Sequence, residues 1–570
     1  MGSPLSEVAQ GRDARSGWSA VTIDRVRIPW AFPLVLAAAA VTTVGLLYLT
    51  RRFDFFYDEW DYVLGASTWT VGSYFYPHNE HWSTLLMVWY KAGLSIFGAR
   101  NYHVFMAGVL AVDAAVACLL FVLIRRRCGD VLAIAAAALL LGLGRGSDDI
   151  LWAFQIGFTG AVAFGLVATL LVQGENLPAW RLALASGAML CSLVSQGTGL
   201  FWWVLVAVDL LFSPPRRRYL WILVVPLLAY LVWFAAIGHA TITGHRSPLS
   251  VEAFHELAGY VPTGIGAAIA GVFGLSVRWG EMALAGAAAA FGIIWFNRRW
   301  KVDTLVLGAI AGLVSQFVLT GLVRAQYGDT EAASSRYVWV AAVFVLLILA
   351  DTARGLPWNR LTQGSLLLIV GVSLVLNGSF LHEQVLAKNY LFAKQDAELQ
   401  VTWMLRQAPG LDRRARIDAN LMPQVTAGGY VDSRQVLGSH LASIDPSGLA
   451  SIDGAGVNIA FGNLLPIRAT VVPAANSAGL GICTASNSLG VTEVQGQDKS
   501  HWLVMPSSAG PVSVMVWYAE PKSFAPTTTI VVGPGQSLEV VLPDTGLGLT
   551  WHFQVTVPSY LGASVCASSR

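Results

Sequence analysis

The sequence predicts a polytopic α-helical membrane protein of about eleven transmembrane helices that ends in a β-sandwich outside the membrane. Three observations carry this. Of 570 residues, 55% are hydrophobic and only 12% charged, against about 25% charged in an average soluble domain. The apolar residues gather into runs of about 15–22, the length that crosses a bilayer as a helix. Beyond Tyr390 that pattern stops, and Gly, Pro, Ser and Thr separate short alternating segments. A net charge of +2 argues for no nucleic-acid partner, so Lys and Arg are read as topology markers.

Residues 1–28 form a polar tail carrying Arg12, Arg15, Arg25 and Arg27, expected in the cytoplasm. The next apolar run, about 29–50, is too long for a signal-peptide core and lacks a clean cleavage site, so it reads as an uncleaved first span. An acidic outer loop follows at 51–101. Within it, about 83–97 is apolar but short and holds Lys91, as a helix lying at the interface does. Further spans are expected at about 102–124, 131–145, 157–173, 180–195, 198–212 and 219–237. Arg125–Arg127 and Arg216–Arg218 fall on the cytoplasmic side by the positive-inside rule, and RGSDDILW and SQGTG face outward.

Segment 261–276 is Gly-rich and weakly apolar. Counted as a span, it would put Arg298, Arg299 and Lys301 outside and the last two cysteines in the cytosol. Read as a re-entrant or surface helix, it lets spans at about 281–296, 303–323, 337–351 and 363–380 restore the alternation. The division is then a tail 1–28, a membrane domain 29–380 and an extracytoplasmic domain 381–570, in a plasma membrane.

In the last part, SHWLVMP, VSVMVWYA, TTTIVV, SLEVVLP and LTWHFQVTV read as strands, after a helical lead-in at about 393–408. Cys483 and Cys566 bracket most of them. A disulfide between them fits an oxidising compartment, although two unpaired core cysteines look the same in sequence. Trp502, Trp517, Tyr518 and Trp551 suit a sandwich core better than a sugar platform.

The chemistry concentrates in Phe53–Trp82, FDFFYDEWDYVLGASTWTVGSYFYPHNEHW. Asp54, beside Arg51 and Arg52, reads as a solvated loop residue. Asp58, Glu59 and Asp61 sit among Phe55, Phe56, Tyr57, Trp60 and Tyr62. If 57–66 is helical, Asp58 and Asp61 share a face and Glu59 points about 100° away. A carboxylate among aromatics has a raised pKa and accepts a proton near neutral pH, which makes Asp58 or Glu59 a candidate base. His78, Glu80 and His81 suit a structural role, a substrate contact or a metal, for which HxxH alone is a weak signal.

Further candidates lie on the same expected side. Asp148, Asp149, Trp152 and Gln155 stand between two spans, with Arg145 placed to neutralise the acids. His245 and Arg246 belong to an outer loop that could cover a cleft. Arg324, Arg336 and Tyr337 border RAQYGDTEAASSRY. An outward Arg at the mouth of a span suits an anionic lipid phosphate; an ion pair with Asp329 or Glu331 is the plainer alternative.

An in-to-out first span, an outer loop with an acidic motif (FYDEWDY), an interfacial helix, many later spans and SSRY at the start of a late one resemble the GT-C glycosyltransferases. Actinobacterial arabinofuranosyl- and mannosyltransferases of this type often carry an extracytoplasmic β-rich domain. The likeness covers 29–380 as architecture and Asp58, Glu59 and Arg336 as residues; PHNEHW stands where many relatives have a His-Pro-Pro-like stretch. It implies an inverting transfer of a sugar from a polyprenyl-phosphate donor to a cell-envelope glycan or glycolipid, beside membrane lipids. No cofactor is obligatory in that chemistry, and a divalent cation is an option. The β-domain is then expected to bind or orient glycan. A transporter or a non-catalytic, membrane-anchored glycan-binding scaffold are the other classes. The first needs more charge inside the spans than Asp113 and Asp209 provide, and the second leaves the convergence of acids and arginines without a purpose.

Overall fold

A set of Arg–Asp pairs gathers at one end of the helical part, and the aromatic, acidic loops lie at the other. The structure, a computed structural model, describes residues 22–78, 80–241, 250–297, 302–474 and 480–568. Its helices are α1 (Ala31–Leu49), α2 (Glu59–Gly65), α3 (Thr84–Phe97), α4 (His103–Leu141), α5 (Ser147–Leu151), α6 (Ile156–Leu171), α7 (Ala179–Ser195) and α8 (Gly199–Leu211). They continue as α9 (Val224–Ala236), α10 (Val251–Val272), α11 (Gly280–Asn297), α12 (Thr304–Arg324), α13 (Ser335–Ala353), α14 (Arg360–Met404), α15 (Ala427–Leu437) and α16 (Gly454–Leu464). Among the described residues, eight helical segments are long and apolar enough to cross a membrane, while α3, α7 and α8 are apolar but shorter.

Helix α4 holds two of the expected spans. Its 39 residues would reach about 58 Å, twice the hydrocarbon thickness. It breaks at Gly129, whose φ of 84° is open to glycine, and where a Cβ would stand 2.5 Å from the Asp24 carbonyl oxygen. Helix α10 covers most of the 261–276 segment and packs against α11, α12 and α13. It is therefore inside the bundle and not a surface helix. Its glycines permit close crossing: a Cβ on Gly266 would lie 2.6 Å from the Gly280 carbonyl oxygen.

At the basic end four aspartates meet an Arg. Arg216 grips Asp209 with two hydrogen bonds of 2.8 Å. Arg127 bonds Asp303 at 2.8 Å, Arg354 bonds Asp351 at 2.9 Å, and Arg125 bonds Asp130 at 2.7 Å. Asp209 is thus half of a buried structural pair and no mid-membrane pathway.

Helix α14 is the structural bridge. Asn359 caps its start by accepting from the Thr362 amide, and it runs through residue 381 without a break. The expected lead-in at 393–408 is its outer end. Phe392 packs on Phe53 with ring centroids 4.7 Å apart, and Gln395 Nε2 donates to the Phe55 carbonyl at 2.8 Å.

The C-terminal domain has two antiparallel sheets. The strands are β1 (Arg468–Pro473), β2 (Leu480–Ala485), β3 (Val491–Gln497), β4 (His501–Pro506), β5 (Gly510–Trp517), β6 (Thr527–Val532), β7 (Gln536–Val541), β8 (Thr550–Thr556) and β9 (Ala563–Ser568). One sheet is ordered β1-β7-β4-β9-β2 and the other β3-β8-β5-β6. In β8 alternate residues Trp551, Phe553 and Val555 point inward and are buried, each worth roughly 1.5–3 kcal/mol of burial. Cys483 lies opposite Cys566 across β2 and β9, and the two form a disulfide, which fits an extracytoplasmic location.

Candidate functional site

The acidic motif divides its carboxylates between two environments. Asp58 precedes α2, and one turn on Asp61 shares its face; with His78 they bring one ligand atom each within 4.8 Å of the others. Asp58 Oδ2 is 3.9 Å from His78 Nε2. Burial raises the Asp61 carboxyl, opposed by His78 and aided by Asp58. Oxygen and imidazole donors at this spacing could hold a divalent cation.

Glu59 turns the other way, into the core, and is fully buried. It accepts from the Phe56 amide at 2.7 Å, from Tyr90 Oη at 2.5 Å and from Tyr102 Oη at 3.1 and 3.2 Å. Burial nevertheless pushes its carboxyl up to about 8, against the pull of these donors. Its oxygens are occupied, so it positions α2 and α3 and does not face the cluster.

His78 and His81 close a tight turn through reciprocal backbone bonds of 3.1 and 3.0 Å. The His78 ring lies 5.2 Å from Tyr62 and 5.3 Å from Phe154, and Phe154 stacks on Trp152 at 5.1 Å. Around this aromatic box several buried polar atoms have no hydrogen-bond partner among the described residues: Tyr62 Oη, His78 Nε2, Trp152 Nε1, both amide ends of Gln155 and both oxygens of Asp149. Burial first and Asp148 second push Asp149 well above the usual carboxylate range, despite Arg336. Buried polar atoms are normally satisfied, and these residues concentrate the exceptions.

Beside the box stand the basic groups. Burial lowers His81 to about 3, with Arg324, Arg336 and His78 adding to it, so the ring is neutral at physiological pH. A Cβ on Gly197 would lie 2.7 Å from His81 Nδ1, which makes Gly197 the seat of this imidazole. Arg324 reaches Glu80 at 3.9 Å. Arg336 pairs with Glu331 at 3.3 Å and lies over the Tyr337 ring, while its Nε is buried with no hydrogen-bond partner among the described residues. The loop ion pair expected with Asp329 or Glu331 is thus made with Glu331. Tyr337 itself is buried in the bundle.

Two expectations need correction. Asp54 is no solvated loop residue; only 3% of it is exposed, and burial raises its carboxyl against the pull of His440. Arg51 turns instead to the Tyr48 carbonyl and ring. Arg145 does not neutralise Asp148 and Asp149, for it lies 4.0 Å over the Phe380 ring. The cation that meets Asp148, at 3.7 Å, is Lys388 of α14, which the sequence reading missed. Its signal was an isolated Lys on the outer side of a span, against the positive-inside trend. His245 and Arg246 lie outside the described residues. In the C-terminal domain Trp551 donates to Asp498 at 2.7 Å within the core, and Trp517 is buried against His552.

Comparison of the chain with family models, with curated proteins and with solved structures finds no match.

Proposed function

We propose that the protein is an inverting glycosyltransferase of GT-C type, which moves a sugar from a polyprenyl-phosphate donor to a cell-envelope glycan or lipid. Its N-terminus is cytoplasmic, eleven helices cross the membrane, and transfer occurs at the outer face. The observation that carries the reading is the set of buried polar atoms, unpartnered among the described residues, that gathers with the aromatic rings of Tyr62, His78, Trp152 and Phe154, with Asp58 beside His78 and Arg336 acting on His81. Aromatic faces with interleaved polar groups suit a pyranose or furanose ring. The arginines suit a leaving phosphate.

In the mechanism Asp58 accepts the proton of the acceptor hydroxyl. The freed oxygen attacks the anomeric carbon from the side opposite the phosphate, the C–O bond to the carrier breaks, and its electron pair leaves on the phosphate. Arg336, with Arg324 beside it, stabilises that charge. His78 holds the acceptor hydroxyl beside Asp58, and neutral His81 offers a hydrogen bond to the sugar or phosphate. Asp149 and Gln155 contact the sugar hydroxyls. A cation at Asp58, Asp61 and His78 would supply further charge neutralisation for a diphosphate donor.

The test is transfer from a panel of polyprenyl-phosphate sugars by purified wild type and Asp58→Asn. Loss of turnover with donor binding retained supports the assignment. Equal turnover in both proteins removes Asp58 as the base, and no donor binding in either refutes the transferase reading.

A further inference from the structure

A second set of metal-ligating side chains lies away from the proposed catalytic cluster, on the seam between the first outer loop, α14 and the C-terminal domain. Asp54 comes from the loop after α1, Asp396 from the outer half of α14, and His440 from the segment after α15. One ligand atom from each falls within 4.8 Å of the others. Asp54 Oδ1 accepts the Phe55 amide at 2.8 Å and lies 3.8 Å from His440 Nδ1. Asp396 Oδ1 is buried and has no hydrogen-bond donor among the described residues.

Two carboxylates therefore share a seam with one imidazole, and no Lys or Arg of the described residues forms an ion pair with either. Buried like charges are costly unless something positive joins them. The three segments are also held in place by bonds beside each ligand. Gln395 Nε2 donates to the Phe55 carbonyl at 2.8 Å. The Ala99 amide donates to the Leu437 carbonyl at 3.0 Å, and Arg434 Nη2 to the Leu441 carbonyl at 2.7 Å. The donor set is thus organised before any ligand arrives, and the His440 side chain, about one-third exposed at 35%, leaves a way in.

We propose that Asp54, Asp396 and His440 bind a divalent transition cation of the zinc class, which fastens the first outer loop and α14 to the C-terminal domain. An imidazole nitrogen with two carboxylate oxygens suits zinc and its neighbours. Calcium and magnesium favour all-oxygen sets. Three protein ligands leave a fourth position for water, and the cation's two charges balance the two carboxylates.

The test uses the full-length protein in detergent, stripped with chelator and titrated with Zn²⁺, with affinity and thermal unfolding both followed. Wild type is expected to bind saturably and to unfold at a higher temperature with zinc. Asp396→Asn and His440→Ala, which are milder than a change at the deeply buried Asp54, should each weaken zinc binding at least about tenfold and abolish the thermal shift. Zinc binding unchanged in both variants overturns the proposal. So does a response lost only in His78→Gln, which would place the metal at Asp58, or a preference for Ca²⁺ over Zn²⁺. None of these readouts depends on sugar transfer.

Discussion

His78 Nε2 stands 3.9 Å from Asp58 Oδ2, buried and with no hydrogen-bond partner among the described residues. That gap is too wide for a direct hydrogen bond. A hydroxyl set to one side of the pair, about 2.8 Å from each atom, could give its proton to the carboxylate while the imidazole holds its oxygen.

Asp58→Asn should accordingly lower transfer by about 10²–10⁴-fold, the usual worth of a positioned base, with little change in stability. Glu59→Ala should do the reverse to the fold. It strands the Phe56 amide and the hydroxyls of Tyr90 and Tyr102, at roughly 1–3 kcal/mol each. Thermal unfolding of the two variants side by side separates the roles.

Stability should pass through a maximum with pH. Glu59 is raised from 4.5 to about 8, so the native state binds the extra proton between those values. Its contribution is complete below 4.5 and is lost as pH rises through about 8. His81 is lowered from 6.5 to about 3, so its contribution is complete above 6.5 and is lost as pH falls towards 3. Unfolding midpoints from pH 4 to 9 check both signs, and Glu59→Gln should flatten the alkaline limb alone.

Gly197→Ala should displace His81, since the added methyl would meet Nδ1 at 2.7 Å. Transfer is expected to fall about tenfold or more while the unfolding temperature moves little. A variant with full turnover would show that the His81 position is irrelevant.

Arg336→Lys retains the charge but not the planar fork. Its turnover should drop by about 10²–10³-fold, and extra donor should not restore it.

Reduction of Cys483–Cys566, which are 83 residues apart, should destabilise the β-domain by about 4.5 kcal/mol on the chain-entropy estimate. In intact cells, reduced thiols at these two positions should react with a membrane-impermeant maleimide.

The bundle was legible because runs of apolar residues report their own burial, and five strands were legible because they alternate between turns. The missed strands β1, β2, β3 and β9 are polar, short or built of small residues; pairing of β1 with β7, β3 with β8, β9 with β4 and β2 with β9 makes them strands, which no local window contains. The continuity of α14 was hidden because His382, Glu383 and Lys388 end its apolar run without ending its helix. At the proposed site, residue type and expected side of the membrane singled out Asp58, His78 and Arg336 as candidates, and the structure puts Asp58 beside His78. Arg145 and Asp54 were misjudged because each was matched to charges close by in sequence, whereas Arg145 lies over the Phe380 ring and Asp54 meets His440, both far along the chain.

The unbroken α14 fixes a helical phase across the membrane boundary. Which residues face lipid near Leu376 determines, through the 100° step per residue, that Gln395 and Asp396 face Phe55 and Asp54. One residue inserted between 381 and 391 would rotate that outer face by about 100° and part the contacts, whereas four would return it close to its original azimuth about 6 Å higher. The height and heading of the β-domain are therefore written in the pitch of a single helix.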